Sequence, residues 1–217
     1  IGHEKYIDYP KGAHYRFFGT LLSAVGLEMS LPIAGISEVG TSIINEVSDL
    51  GIIAQSCIRG GVGKPCRNCW KCFRKELLGM AIGSTLSVPA VGKIMHSPEV
   101  QKKLSDFPIS HENVVTFSIR NIDFEEHRYL GFLRNRLDIG KDLEFLRNWY
   151  SPSIKVVPGK YVDSIRKGII RYIEPMSSSQ EEQVVCWDMA PFLGSKSTKD
   201  SHFALTSSWQ DFYWEEN

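Results

Sequence analysis

The apolar positions of this chain fall into several short periodic runs rather than one long one. Over 14–29, Phe17, Leu21, Leu22, Val25 and Met29 recur at helical spacing and share one face. The next run, 31–34, is short and apolar and suits a buried strand. Ser37 and Glu38 make a helix start, and Ile43, Ile44, Val47 and Leu50 continue its apolar stripe as far as Gly51. An extended piece over 52–56 follows. This helix–strand–helix–strand order predicts an α/β architecture for the first part of the chain.

Beyond that point the pattern is mainly helical. A short helix is expected over 73–82. Ser97-Pro98-Glu99 places a cap before a proline at the first helical position, so 98–104 reads as a helix. Two amphipathic helices follow over 123–136 and 141–150, broken near Gly140. A further one over 162–173 aligns Val162, Ile165, Ile169 and Ile173. The serine-rich stretch 177–182 reads as a linker, and the tail beyond Gly194 is polar with scattered aromatics. Of these, Trp209, Phe212, Tyr213 and Trp214 are expected to dock onto the same chain. There are no internal repeats. The coarse division is an α/β piece over 1–80 and a mainly helical extension over 81–217.

Composition narrows this only slightly. With 42% hydrophobic and 23% charged residues the 217-residue chain has the make-up of an ordinary globular protein. Its 25 Lys and Arg balance 25 Asp and Glu, so there is no global attraction to nucleic acid or an anionic membrane. No apolar run approaches the roughly 18 residues that a membrane span needs.

The cysteines change the picture. Four of the five, Cys57, Cys66, Cys69 and Cys72, lie close together, whereas Cys186 stands far away. A disulfide framework spreads its cysteines to close long loops; a cluster suits a metal in a reducing compartment, which points to the cytoplasm. Two consecutive Cys-x2-Cys steps put three thiolates on one tight knuckle. The preceding loop, with Gly60, Gly61 and Gly63, has the freedom to fold back and deliver the fourth. Tetrahedral zinc takes four such sulfurs, and the closed shell leaves no position for substrate. Arg59, Lys64, Arg67, Lys71, Arg74 and Lys75 surround the site and would balance its negative charge. Thiolates alone do not exclude an iron–sulfur cluster, and the basic flanks also fit a small zinc ribbon that binds nucleic acid or protein.

With its flanks included, the first part of the chain resembles the carboxyl-terminal half of the 7-cyano-7-deazaguanine synthases, queuosine-pathway members of the PP-loop ATP pyrophosphatase superfamily. Asp8-Tyr9-Pro10, Leu31-Pro32-Ile33, Ile36-Ser37-Glu38, Leu50-Gly51 and Ser56-Cys57 come in the family's order. Pro65-Cys66-Arg67-Asn68-Cys69-Trp70-Lys71-Cys72-Phe73-Arg74 closes the match. The resemblance implies a partial three-layer nucleotide-α-hydrolase fold with a structural zinc loop. It also implies homodimers and an ATP- and Mg2+-dependent carbon–nitrogen ligase that adenylates a small carboxylate and delivers ammonia to it; the alternative within the superfamily is a sulfur-transferring relative whose cysteines hold an iron–sulfur cluster. Asp8, Tyr9 and Arg16 would lie near substrate. Two departures stand out: Arg67 occupies a position where the family favours glycine, and the segment from Pro10 to Arg16 lacks the usual Tyr-Pro-Asp-Cys-Arg run. The Ser-Gly-Gly-x-Asp-Ser phosphate loop is absent. Together with Ile1 in place of a methionine, this leads us to expect a piece of a longer enzyme.

The remaining chemistry-bearing residues read as structural. Gly35-Ile36-Ser37 and Gly83-Ser84-Thr85 are isolated small-residue turns. The histidines, at 3, 14, 96, 111, 127 and 202, form no close pair in sequence and suit surface or helix-end roles. Cys186, beside Trp187, reads as a buried thiol. Asp123, Glu125 and Glu126 suit the start of a helix. Arg134, Arg136, Lys141 and Arg147 read as a solvated helical face.

Overall fold

The computed structural model describes residues 12–49, 51–83, 88–123, 127–137 and 140–215. It is mostly helical. Among the described residues the only β pairings are isolated bridges, Gly61 with Lys64 and Trp149 with Pro175. The expected α/β, PP-loop architecture is therefore not the fold observed. The run 31–34 is part of a turn and 51–53 a short 3-10 turn, so neither becomes a strand. No helix among the described residues is long and apolar enough to cross a membrane.

The chain forms two compact units, one of residues 1–48 and 143–187, the other of 49–142 and 188–217. The division expected near residue 80 is not where they part.

In the first unit α1 (Ala13–Ala24) begins close to where the pattern placed it but ends early, at a turn carrying Gly26 with φ 76°. Its apolar stripe is not buried: Phe17, Leu21 and Val25 are all exposed. Helix α2 (Glu38–Val47) starts as predicted, because the Ser37 side chain accepts the Gly40 N–H at 2.8 Å. The Ser37 hydroxyl also donates to the Leu146 carbonyl. Gly35 is required by close approach, since a Cβ there would lie 2.4 Å from the Tyr150 carbonyl oxygen. The Gly35-Ile36-Ser37 turn is thus filled by its own unit and is not a phosphate cradle. The segment 141–150 is a 3-10 turn (Glu144–Arg147) instead of a helix. Its Trp149 joins Ile36, Ile169 and Ile173 in a small core. Helix α8 (Val162–Ile170) supplies Ile169, and α9 (Ser178–Val185) occupies the stretch expected to be a linker. Ser177 and Gln180 form a capping box that starts α9.

The second unit carries the cysteines. Its central helix, α3 (Trp70–Ala81), buries Phe73, Leu77 and Leu78 completely and packs chiefly on α6 (Glu112–Arg120). Between them come α4 (Val88–Met95) and α5 (Pro98–Leu104). Helix α5 keeps its predicted bounds because Ser97 caps it and Pro98 fits its first turn. Helix α7 (Arg128–Arg136) is shorter than expected, and 124–126 lie outside the described residues. The short α10 (Ala190–Gly194) leads into α11 (Lys196–Glu215), which packs along α7 through the polar tail's buried Leu205 and Trp209. Trp209 docks in cis as expected; the side chains of Phe212, Tyr213 and Trp214 lie outside the described residues.

Candidate metal centre

The loop between Cys57 and Cys66 is shaped by glycine and held by one side chain. Gly61 to Lys64 form a tight turn, closed by the Lys64 N–H donating to the Gly61 carbonyl at 2.9 Å. Gly63 at φ 68° supplies the positive φ that the third position of a type II turn needs. At Gly60 no side chain fits, because a Cβ would lie 1.9 Å from the Lys64 carbonyl oxygen. Gln55 reaches across the loop. Its Nε2 donates to the carbonyls of Cys57 at 2.6 Å and Gly61 at 3.0 Å, and its Oε1 accepts the Gly63 N–H at 2.6 Å.

The knuckle follows from two local devices. Arg67 takes a left-handed conformation, φ 52°, which turns the chain between Cys66 and Cys69. Cys69 is the N-cap of α3, its sulfur accepting the Cys72 N–H at 3.5 Å. Cys57 Sγ accepts the Cys66 N–H at 3.5 Å, which ties the returning loop to the knuckle.

The four sulfurs come together. All lie within 4.8 Å of one another, and Cys66 Sγ is 3.8 Å from Cys72 Sγ. Sulfurs at about 2.3 Å from a tetrahedral ion stand about 3.8 Å apart, so this spacing suits a four-coordinate metal. No disulfide joins any of them; Cys57, Cys69 and Cys72 are buried and Cys66 half-buried. The group can hold a metal ion.

The thiols are unequal. N–H groups of Cys66 and then Arg59 pull the Cys57 thiol down to about 6. Burial, first of all, pushes the Cys72 thiol up. At Cys66 the Asn68 N–H pulls down, but burial and the Cys69 and Cys57 sulfurs outweigh it and the net direction is up. A cation placed among the sulfurs would displace the remaining protons.

Three of the six flanking cations, Arg59, Arg67 and Arg74, are engaged within the unit. Arg59 pairs with Glu99 at the start of α5, and Glu99 Oε1 also accepts the Trp70 N–H at 3.2 Å. One carboxylate thereby ties the cysteine loop to the first turn of α3. Arg67 Nε stands 3.5 Å from Glu76 Oε1. Arg74 is buried with its guanidinium over the Trp70 ring, 5.9 Å from the centroid. Gln55, Glu76 and Glu99 were not singled out by their spacing, although Glu99 sits in the Ser-Pro-Glu cap signal.

A family model described as "Family of unknown function (DUF6395)" matches residues 17–188. The chain belongs to this family. No curated protein and no solved structure matches it. The DUF6395 match takes in the four clustered cysteines and stops short of α11.

Arg16 is exposed on α1, in the first unit, while Asp8 and Tyr9 lie outside the described residues. Cys186 is exposed at the end of α9, not the buried thiol expected, because α9 closes before it and leaves it as the C-cap. His127 caps α7, accepting the Leu130 N–H at 3.3 Å, and His111 precedes α6, so both take helix-end roles. Arg136 is the clear reversal. Read as solvated, it is fully buried and holds Glu112 through two hydrogen bonds of 3.1 and 2.9 Å.

Proposed function

We propose that Cys57, Cys66, Cys69 and Cys72 bind one zinc ion in a closed structural site, and that the ion locks the 55–72 segment onto the first turn of α3. The carrying observation is the convergence of four unpaired sulfurs at spacing suited to a tetrahedral ion. With four protein ligands there is no open position for substrate, so the metal holds structure and does no chemistry. The ligand set carries a net negative charge, and the N–H groups of Arg59, Cys66 and Asn68 directed at the sulfurs offset it. Four reduced thiols fit a reducing compartment, and on that ground we place the protein in the cytoplasm. Cobalt substitution tests the ligand set: Co2+ should give the visible bands of a tetrahedral thiolate site, whereas the broad absorption of an iron–sulfur cluster in aerobically purified protein would overturn the zinc assignment. A nucleic-acid ribbon is disfavoured, because Arg59, Arg67 and Arg74 are engaged within the unit.

A second reading concerns catalysis. An ATP-dependent carbon–nitrogen ligase acting on a small carboxylate and ammonia is the activity that the cysteine segment's resemblance implies. One observation favours the resemblance: Arg67 takes the left-handed conformation that glycine, the family's residue there, adopts most easily. The helical fold counts against it. Full-length protein releasing AMP and pyrophosphate from ATP and Mg2+ only with 7-carboxy-7-deazaguanine or a related carboxylate would support this reading. Absence of carboxylate-dependent turnover would remove it.

A further inference from the structure

Within the second unit a chain of polar groups, buried at Glu112 and Arg136 and half-buried at His202, runs from α6 through α7 to α11. Glu112, in the first turn of α6, accepts two hydrogen bonds from Arg136 at the end of α7. Both side chains are inaccessible to solvent. The Arg136 Nε–H then donates to His202 Nδ1 on α11 at 3.1 Å, and His202 Nε2 faces the Ser105 carbonyl at 3.2 Å. Trp209, two turns further along α11, donates its indole N–H to the Ser105 hydroxyl at 3.2 Å and stacks on Tyr129 of α7.

These partners fix the protonation state of His202. Arginine only donates, so Nδ1 must be the acceptor; a carbonyl only accepts, so Nε2 must carry the hydrogen. The docked helix therefore requires a neutral imidazole of one tautomer. A proton added at Nδ1 would meet the Arg136 N–H directly, with two positive groups about 3 Å apart.

We propose that His202 is a pH-controlled latch for α11: neutral, it docks the helix against α7 and the segment after α5; protonated, it releases it. The groups facing His202 are few. From α7 there is Arg136, from α6 Glu112 behind it, and from the segment after α5 the Ser105 carbonyl and the Phe107 ring at 5.0 Å. Asp106, next to them in sequence, is paired with Lys103 at 3.1 Å. On α11 itself the charged residue one turn away is Lys199. Glu112 is the nearby anion, and Arg136 takes both its oxygens, so little negative charge is left to stabilise an imidazolium. Burial, then the Arg136 charge, lowers the His202 pKa below its ordinary 6.5, although the Ser105 carbonyl and Glu112 pull the other way. The unfolded or undocked chain thus binds a proton more readily than the docked one. Docking stability is fully present above that ordinary value and is lost as pH falls through the docked-state pKa.

Hydrogen exchange of α11 between about pH 5 and pH 8 tests the latch, with rates corrected for intrinsic pH dependence. The amides of 198–209 should be protected at the upper end and lose roughly tenfold or more of that protection below the ordinary histidine value. His202→Gln offers an acceptor to Arg136 and a donor to Ser105 but no titration, and should keep its protection to the acid end. His202→Lys should be unprotected throughout. Acid release of metal affects wild type and variants alike, and His127→Asn keeps a capping acceptor while removing a second half-buried histidine of this unit. Loss of protection at the same pH in wild type and His202→Gln would overturn the proposal, as would its disappearance in His127→Asn. Nitrogen NMR of wild type supplies a reading independent of any variant: a hydrogen on Nδ1 of His202 at neutral pH, or a titration midpoint unrelated to the exchange transition, would also refute it.

Discussion

Arg67 of the metal knuckle pairs with Glu76 of α3, Nε to Oε1 at 3.5 Å, from a backbone conformation that arginine adopts at a cost. The left-handed region costs a side-chain-bearing residue roughly 1–2 kcal/mol relative to glycine. Glu76 is nearly buried, and burial raises its pKa while Arg67 pulls it back. Strain at one residue and burial at the other are thus joined by a half-exposed ion pair worth at most about 1 kcal/mol. Arg67→Gly alone should change stability little, because relief of strain and loss of the pair oppose each other. In a Glu76→Gln background the same change should stabilise by roughly 0.5–1 kcal/mol. Denaturant melts of the metal-loaded proteins check this; a loss of stability in the glutamine background contradicts it.

Gly60 and Gly61 make a matched pair. A Cβ on Gly60 would strike the Lys64 carbonyl oxygen, whereas one on Gly61 would meet nothing within 4 Å. Gly60→Ala should weaken metal binding by about 10- to 100-fold, the equivalent of 1–3 kcal/mol of backbone displacement. Gly61→Ala should bind nearly as wild type. Chelator competition measures both, and equal affinities would mean that the loop is looser than described.

Gln55 makes three hydrogen bonds to the loop backbone, two as donor and one as acceptor. At a net value of about 0.5–1.5 kcal/mol each, Gln55→Ala should cost roughly 1.5–4.5 kcal/mol of loop order. The expected result is a faster metal off-rate with the helical circular dichroism unchanged. Unchanged metal release would show that the four sulfurs hold the loop without this brace.

The Glu112–Arg136 pair is buried on both sides. Removing either partner alone strands a charge, so Glu112→Gln or Arg136→Met should destabilise by about 3–5 kcal/mol. The double replacement Glu112→Leu with Arg136→Met should recover a good part of that loss. Thermal melts of the cycle decide, and additive losses would contradict the coupling.

The cysteine site was legible because its four ligands sit in one short segment, and its glycine loop announced the fold-back. Helix α5 was legible for a similar reason, since Ser97 and Pro98 fix its start locally. The run 31–34 was not, because four apolar residues carry no period that separates strand from turn. Residues 141–150 misled in another way: Leu143, Phe145, Leu146 and Trp149 are buried together, which reads as a helix stripe but serves a 3-10 turn packed all round. The serine-rich 177–182 hid a capping box inside linker-like composition. Arg136 shows the deeper limit. Its partner Glu112 lies 24 positions away and on another helix, and nothing local distinguishes a buried arginine from a solvated one.

Metal content of protein expressed in zinc-replete medium decides whether the four cysteines hold zinc. One zinc per chain is expected, lost together with the order of the 55–72 segment in Cys66→Ser and Cys69→Ser, because zinc sites of this kind contribute on the order of 10–16 kcal/mol in small peptides. Less than about a tenth of an equivalent, with the fold of both variants unchanged, would contradict it.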